Sequence, residues 1–331
     1  MKALVLKEDM SLVISDIVKP VPAKNEVLVN VATSALNHRE LWIQQGLYPG
    51  MQLPCILGAD GAGTVVELGE YVDKAWLGKE VIIYPAYAWG EHESAPSREF
   101  RVLGMPDPGT MADFIKVPAE HLIIKPDYLS WEEAAAIPVA SLTAWRALNR
   151  HGQIKKGDNV LVTGIGGGVA QAGLAIALAF GAHVYVTSSS PEKIASAKSI
   201  GAQGGVNYKD EDWHIQLKEI SGGIDIVLDS SPSAVLDNYF KFMNYGGRIV
   251  AYGSTGSRKT TINISKFFLR HIHFIGTAMG SPNEFKDLIQ FMESNTIKPL
   301  VHATFNFENA IDAFVELKTG QQIGKIVIRH S

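Results

Sequence analysis

The segment Val162-Thr163-Gly164-Ile165-Gly166-Gly167-Gly168-Val169-Ala170 constrains the fold of this chain more than any other. A β-branched run ending at Thr163 enters four glycines crowded between Gly164 and Gly168. An apolar stretch of helix length follows, with no acidic residue in its first turns. A second β-branched run, Val184-Tyr185-Val186-Thr187, comes next. That order predicts two parallel strands joined by a crossover helix. Glycines let a backbone approach a pyrophosphate, and open N–H groups at a helix start attract its charge. The unit therefore predicts a dinucleotide site built on Gly166, Gly167, Gly168 and Val169, with Gly167 at the position of closest approach. Ala170 stands where a third glycine is usual, and Ile165 replaces the usual small residue. The competing reading is a packing turn that holds no cofactor.

From Gly164 to Ala182 only Gln171 is clearly polar, a length that approaches a membrane span. The six glycines in that stretch and the strands on either side predict a buried helix instead. The N-terminus, Met1-Lys2-Ala3-Leu4-Val5, enters strand-like residues directly and lacks the apolar core of a secretion signal. A chain of 331 residues is long for one core, so two domains are expected. A formal charge of -4 leaves no basic footprint for nucleic acid or a membrane surface. The single cysteine, Cys55, fits a reducing compartment, and a cytoplasmic location is expected.

Beyond the glycine turn, strand and helix patterns alternate. Helices are expected near Val169–Phe180, at Pro191–Ile200 and near Ala234–Met243, and strands at Asp225–Leu228, Arg248–Tyr252 and His273–Ile275. This predicts a doubly wound parallel sheet of the Rossmann kind. Before Pro126 the pattern is mainly antiparallel β, with short runs such as Glu26–Val31 and Gly63–Leu68 parted by Gly, Pro and Asp. Ser130-Trp131-Glu132-Glu133 has the spacing of a capping box. After Gly276, helices at Asn283–Glu293 and Phe307–Thr319 accompany a strand near Ala303 and a last strand, Lys325–Ile328. The long segment Ala86–Thr110 reads as a functional or mobile loop.

The end of the second strand separates the two nicotinamide cofactors. Enzymes that use NAD commonly carry Asp or Glu there for the ribose 2′-hydroxyl. Here the chain runs Thr187-Ser188-Ser189-Ser190-Pro191-Glu192-Lys193, with no carboxylate from Gly164 to Pro191. Hydroxyls and an ammonium suit a 2′-phosphate, so NADPH is expected, held in part by Ser188, Ser189 and Lys193. The plainer reading makes Lys193 a solvated helix residue and the serines a turn.

These residues, with Asn37-His38-Arg39-Glu40-Leu41, Leu57-Gly58-Ala59-Asp60-Gly61-Ala62-Gly63, Leu142-Thr143-Ala144-Trp145, Lys156-Gly157-Asp158, Gly246-Gly247-Arg248 and Gly324-Lys325-Ile326-Val327-Ile328, resemble the medium-chain dehydrogenase/reductase superfamily. The likeness spans essentially the whole chain. It implies a GroES-like catalytic domain over 1–126, a Rossmann cofactor domain over 127–275 and a segment, 276–331, that returns to the first. It also places Thr143 against the nicotinamide, with capping or packing in its helix as the other reading, while Asp229-Ser230-Ser231-Pro232 departs from the pattern common at that turn. Tyr208 is a candidate to stack on the adenine or touch the 2′-phosphate, and Gly253 and Ser254 follow a strand at the carboxyl edge where a dinucleotide crosses a parallel sheet. A homodimer joined through His273–Ile275 is the implied assembly.

The chain departs from the zinc alcohol dehydrogenases of that superfamily. Asn37, Ala59 and Val139 stand where zinc ligands are expected, and Ala86–Thr110 lacks the four structural cysteines. Arg39 and Trp42 replace the proton-relay residues. His38, His92 and the pair His271 and His273 are the remaining metal-ligand candidates, with packing or an interface as their ordinary roles. The zinc-free branch that this chain resembles reduces quinones and α,β-unsaturated carbonyls. In Gln45-Gly46-Leu47-Tyr48-Pro49, Tyr48 matches the proton-donating tyrosine of enoyl reductases, or it merely packs on a turn; both readings stand. Asn37 is its expected companion donor. The rival functions are an alcohol or aldehyde dehydrogenase with another metal site, and an NADPH-binding scaffold without turnover.

Overall fold

The computed structural model describes residues 1–232, 235–256 and 259–330. The chain divides into two compact units, Met1–Ala140 with Ser281–Ser331, and Ser141–Gly280.

The first unit is built on a largely antiparallel sheet. Its strands lie in the order Leu122–Ile124, Glu80–Ile83, Asp60–Leu68, Glu26–Ala35, Lys325–Arg329 and Val301–Asn306, with Phe114–Pro118 also pairing to Glu26–Ala35. Alternation along the central strand feeds one core. Val27, Val29 and Val31 pack with Val65, Val81, Ile83, Ile115 and Val117. A second cluster joins Leu4, Leu6, Leu41, Ile43 and Leu57 to Phe307, Phe314, Ile326 and Ile328. The C-terminal strand thus sits inside the N-terminal sheet, with Val327 opposite Ala35. That register sets Lys325 near the end of Glu26–Ala35, whose Ala35 also faces Asp60. The helix Trp131–Ala135 begins on the expected capping box: Ser130 Oγ accepts from Glu133 N at 3.2 Å, and Glu133 Oε2 accepts from Ser130 N at 2.8 Å.

The segment Ala86–Thr110, read from sequence as a loop, has internal structure. Ala86–Tyr87 pairs with Arg101–Val102, and Trp89, buried at 3% exposure, stacks edge-on against Phe100. The Trp89 indole donates to His92 O at 3.2 Å. An aromatic pair and a short strand pairing thus order part of the segment, which composition alone does not reveal.

The second unit is a six-stranded parallel sheet in the order Gly204–Asn207, His183–Ser188, Asn159–Val162, Ile224–Asp229, Met243–Ala251 and His273–Gly276. The direction of strand addition reverses beside Asn159–Val162, the arrangement of a doubly wound dinucleotide fold. The helices Gly168–Ala179 and Pro191–Ile200 follow the sequence reading closely. The helix expected near Ala234–Met243 is found at Leu236–Phe242; Ala234 itself is outside the described residues. The strand expected to begin at Arg248 begins at Met243 instead. The strand Gly204–Asn207 and the helix Trp213–Ser221 are elements that the sequence reading did not contain. Adjacent glycines weaken a strand's local signal, but Gly205 fits where a Cβ would lie 2.8 Å from Val186 Cγ2.

No helix among the described residues is long and apolar enough to cross a membrane. The apolar run near Gly164–Ala182 is the twelve-residue helix Gly168–Ala179, flanked by parallel strands.

Candidate cofactor and catalytic sites

In the parallel-sheet unit, most of the cofactor residues expected from the sequence converge on the carboxyl edge of the sheet. The helix Gly168–Ala179 starts with Gly167 as an extended N-cap, without a side-chain cap and without acid in its first turn. Its leading N–H groups are therefore free of a capping side chain, which fits a phosphate anion. Close packing of this helix on the sheet falls to Gly173: a Cβ there would lie 2.4 Å from Leu228 Cδ2. Ala170, at the position suggested by the motif, is simply buried. The turn is tied to the neighbouring strand, since Ile165 N donates to Thr187 O at 3.1 Å and Gly164 N to Thr187 Oγ1 at 3.3 Å.

Ser188 ends the second strand opposite Asn207, which brings Tyr208, 42% exposed, to the same edge. Ser190 caps the helix Pro191–Ile200 by accepting from Lys193 N at 3.3 Å, and Ser188 Oγ accepts from Ser190 N at 3.1 Å. The Lys193 side chain thus starts from the first turn of that helix; partial burial lowers its pKa from the usual lysine range. Gly253 lies against Ser230, whose carbonyl accepts from Thr255 N at 3.0 Å, and Ser254 between them is exposed. Thr143 is buried in the helix Pro138–Trp145.

Sequence reasoning missed the anchor of this edge. Asp229, 1% exposed, accepts from Thr163 Oγ1 at 2.6 Å and Ser231 N at 2.7 Å, and also from the Tyr239 hydroxyl. Burial, reinforced by the Asp229 charge, pushes the Tyr239 phenol well above its ordinary range. This network joins the ends of the first and fourth strands in chain order directly below the glycine turn.

In the antiparallel unit, Asn37 precedes the helix His38–Gln44 and is held at both ends. Its backbone N donates to Glu40 Oε2 at 2.8 Å, while its side-chain Nδ2 donates to Asp60 Oδ2 at 2.9 Å. Its Oδ1 accepts from Lys325 Nζ at 2.6 Å, and the same ammonium reaches Asp60 Oδ2 at 2.7 Å. Val139 N completes the set, donating to Asp60 Oδ1 at 2.8 Å. The approach to Asp60 depends on Gly58, whose φ is +100° and where a Cβ would lie 2.6 Å from Thr110 Oγ1. Asp60 is fully buried, and the Lys325 side chain is 5% exposed. An ion pair this deep persists only with good geometry and satisfied lone pairs, and three donor groups supply both here. Neither Asp60 nor Lys325 stood out in the sequence as a site residue. The register that pairs Asp60 and Val327 with Ala35 brings them together.

The expected second donor, Tyr48, is half-buried against the apolar core, with its ring over the Arg39 guanidinium. Arg39 Nη1 donates to Glu40 Oε1 at 2.8 Å and Leu103 O at 2.7 Å. Burial opposes the Arg39 charge, but Glu40 and Tyr48 outweigh it and raise the guanidinium above its usual range. Burial, by contrast, is what raises the Glu40 carboxyl above its ordinary range. Trp42 is partly exposed on the same helix.

A doubly wound parallel sheet with a glycine-rich turn at its carboxyl edge and a separate, largely antiparallel sheet form the architecture of the dehydrogenase/reductase class. Residues 23–127 match the alcohol dehydrogenase GroES-like domain, and residues 168–294 match the zinc-binding dehydrogenase family. A zinc-type alcohol dehydrogenase-like protein, YogA, from Leptosphaeria maculans is 36% identical over 330 residues, covering 94% of this chain and 92% of that protein. A 2-methylene-furan-3-one reductase of Solanum lycopersicum is 30% identical, over 98% of this chain and 75% of its own length. The crystal structure of an NAD-dependent alcohol dehydrogenase superposes with a TM-score of 0.92 at 33% identity, covering 99% of both chains. The chain belongs to the medium-chain dehydrogenase/reductase superfamily and is an oxidoreductase of that family.

The family description raises the question of zinc, and the residues present do not fit it. Ala59 and Val139 have no donor atom in their side chains. The Asn37 amide is engaged by Asp60 and by a lysine ammonium, a cation already in place. No group of three or more His, Cys, Asp or Glu able to hold a metal occurs among the described residues, so His38, His92, His271 and His273 do not assemble one.

Proposed function

We propose that this protein is an NADPH-dependent reductase of quinones or α,β-unsaturated carbonyls that works without zinc. The observation that carries the proposal is Lys325 Nζ, 2.6 Å from Asn37 Oδ1 and 2.7 Å from Asp60 Oδ2. With a fixed ammonium bonded to both residues, the site favours hydrogen-bond donation to a substrate oxygen over Lewis-acid activation of an alcohol.

Gly166, Gly167, Gly168 and Val169 would receive the pyrophosphate, and Ser188, Ser189 and Lys193 the 2′-phosphate. Tyr208, Thr143, Gly253 and Ser254 complete the cofactor set. The bound nicotinamide supplies the hydride. Asn37 donates to the acceptor's oxygen as negative charge develops there, and Tyr48 delivers the proton to the enolate. A homodimer through the edge strand His273–Gly276 belongs to the same reading. Phe274 on that strand is 39% exposed, and Phe268 and Leu269 before it are 58% and 62% exposed. A cytoplasmic location also belongs to it.

The test is a panel of quinones, enones and alcohols followed by nicotinamide absorbance with NADPH, NADH and their oxidised forms. Reduction of quinones or enones with NADPH is expected. Alcohol oxidation as the dominant activity would replace this reading with the alcohol dehydrogenase one, and cofactor binding without turnover on any substrate would favour a scaffold.

A further inference from the structure

We infer that Lys325 is a positioning residue that locks the Asn37 carboxamide with an N–H facing outward, which makes the site selective for ligands presenting an acceptor oxygen. The inference rests on the role proposed above for Asn37 and adds the group that enforces it.

An asparagine amide is two-faced. Rotated by half a turn, it offers a carbonyl where it had offered an NH₂, and the two forms recognise opposite partners. Here the rotation is blocked from both sides. In the observed orientation Oδ1 accepts from the Lys325 ammonium at 2.6 Å while Nδ2 donates to Asp60 Oδ2 at 2.9 Å. The rotated form would set Oδ1 against the Asp60 carboxylate and NH₂ against the Lys325 ammonium, turning two charge-assisted bonds into two repulsive contacts. Burial strengthens the discrimination, because Asp60 is fully buried and the Lys325 side chain nearly so. The backbone is held as well, through the Asn37 N–H on Glu40 Oε2 at 2.8 Å.

Nδ2 carries two hydrogens. One is used on Asp60, and the other has no partner among the described residues, on a side chain that is only half-buried. A quinone, enone or enolate oxygen can accept it. A ligand that must donate a hydrogen bond at this point meets the remaining N–H, while Oδ1 is held toward Lys325. Lys325, 5% exposed and bonded to Asn37 and Asp60, acts by fixing which face of Asn37 the substrate meets.

The experiment is solution NMR of protein labelled with ¹⁵N-asparagine, combined with kinetics of Asn37→Ala, Lys325→Met and the double variant. The Asn37 side-chain signal is identified by its loss in Asn37→Ala. In the parent it should appear as two well-separated proton resonances, one of which moves when menadione is added. In Lys325→Met the two resonances should remain distinct, because the amide bond itself rotates slowly, but shift toward those of a free asparagine side chain. The kcat of Lys325→Met should fall roughly 10- to 100-fold with NADPH affinity unchanged, and the double variant should be no slower than the slower single variant. If Lys325→Met does not fold, Asp60→Asn combined with Lys325→Met removes both charges together and carries the same measurements. A parent-like Asn37 signal without Lys325, or additive losses in the double variant, would overturn the inference. Absence of any quinone or enone reduction by the parent would defeat the proposed function instead, and the paired resonances would still report the lock.

Discussion

The Tyr48 ring lies over the Arg39 guanidinium, with Cζ 5.0 Å from the ring centroid. Arg39 is itself buried and bonded to Glu40 and Leu103, so the tyrosine rests on a fixed platform rather than on a mobile side chain. Tyr48→Phe keeps the ring and the cation–π contact and removes only the hydroxyl. Enone reduction should then slow by roughly 10²-fold or more, the range of positioned acid catalysis, while NADPH affinity stays near the parent value. Quinone reduction should suffer less, because solvent can protonate a hydroquinone anion. Parent-like enone rates, under conditions where hydride transfer is limiting, would reduce Tyr48 to packing.

Lys193 and the serines before it bear on cofactor choice. Charge-assisted contacts to phosphate are worth roughly 1.5–3 kcal/mol, so Lys193→Ala should weaken NADPH by about 10- to 100-fold and leave NADH nearly unchanged. Titration of nicotinamide fluorescence measures both. Equal affinities of the parent for the two cofactors would refute the assignment, and the structural relative described as NAD-dependent makes that comparison informative.

Gly173 gives a stability prediction tied to the cofactor edge. A Cβ there would lie 2.4 Å from Leu228 Cδ2, and Leu228 is completely buried. Gly173→Ala should therefore cost about 1–3 kcal/mol despite alanine's better helix propensity, and move the start of the helix relative to the glycine turn. Thermal unfolding should show a lower Tm, accompanied by weaker NADPH binding. A gain in stability would mean that the helix and strand separate more easily than their packing implies.

Two buried histidines set an acid limit. Burial alone lowers His121 to about 4 and His330 to about 3, both below the ordinary value of 6.5. Their contribution to stability is complete above pH 6.5. It is lost as pH falls toward these folded-state values, because the unfolded chain takes up protons first. By pH 5 each should cost about 1–2 kcal/mol. Melting temperature should thus drop between pH 7 and pH 5, and His330→Gln should flatten part of that slope. A slope unchanged by His330→Gln would show that other groups govern it.

The legibility of this protein from its sequence differs between its two units. Parallel strands and their helices declare themselves locally, through β-branched runs, the glycines at Gly164–Gly168 and Pro191 at a helix start; the helix Pro191–Ile200 is found as expected. Asn37 and Tyr48 were visible as motif residues. Asp60 and Lys325 were not, although they hold Asn37. They are 265 residues apart, and the pairings of Glu26–Ala35 with Lys325–Arg329 and with Asp60–Leu68 bring them together. Asp229 was hidden for a similar reason: its partners Thr163 and Tyr239 come from different elements. A buried polar network has no periodicity to announce it.

The central claim, hydride transfer from NADPH without a metal, is tested most directly by the rate of quinone or enone reduction in chelator-treated protein whose zinc content has been determined. Turnover equal to that of untreated protein, with far less than one zinc per chain, is expected from the ligand count that zinc requires. Activity that disappears with the chelator and returns with about one bound zinc per chain would contradict the account.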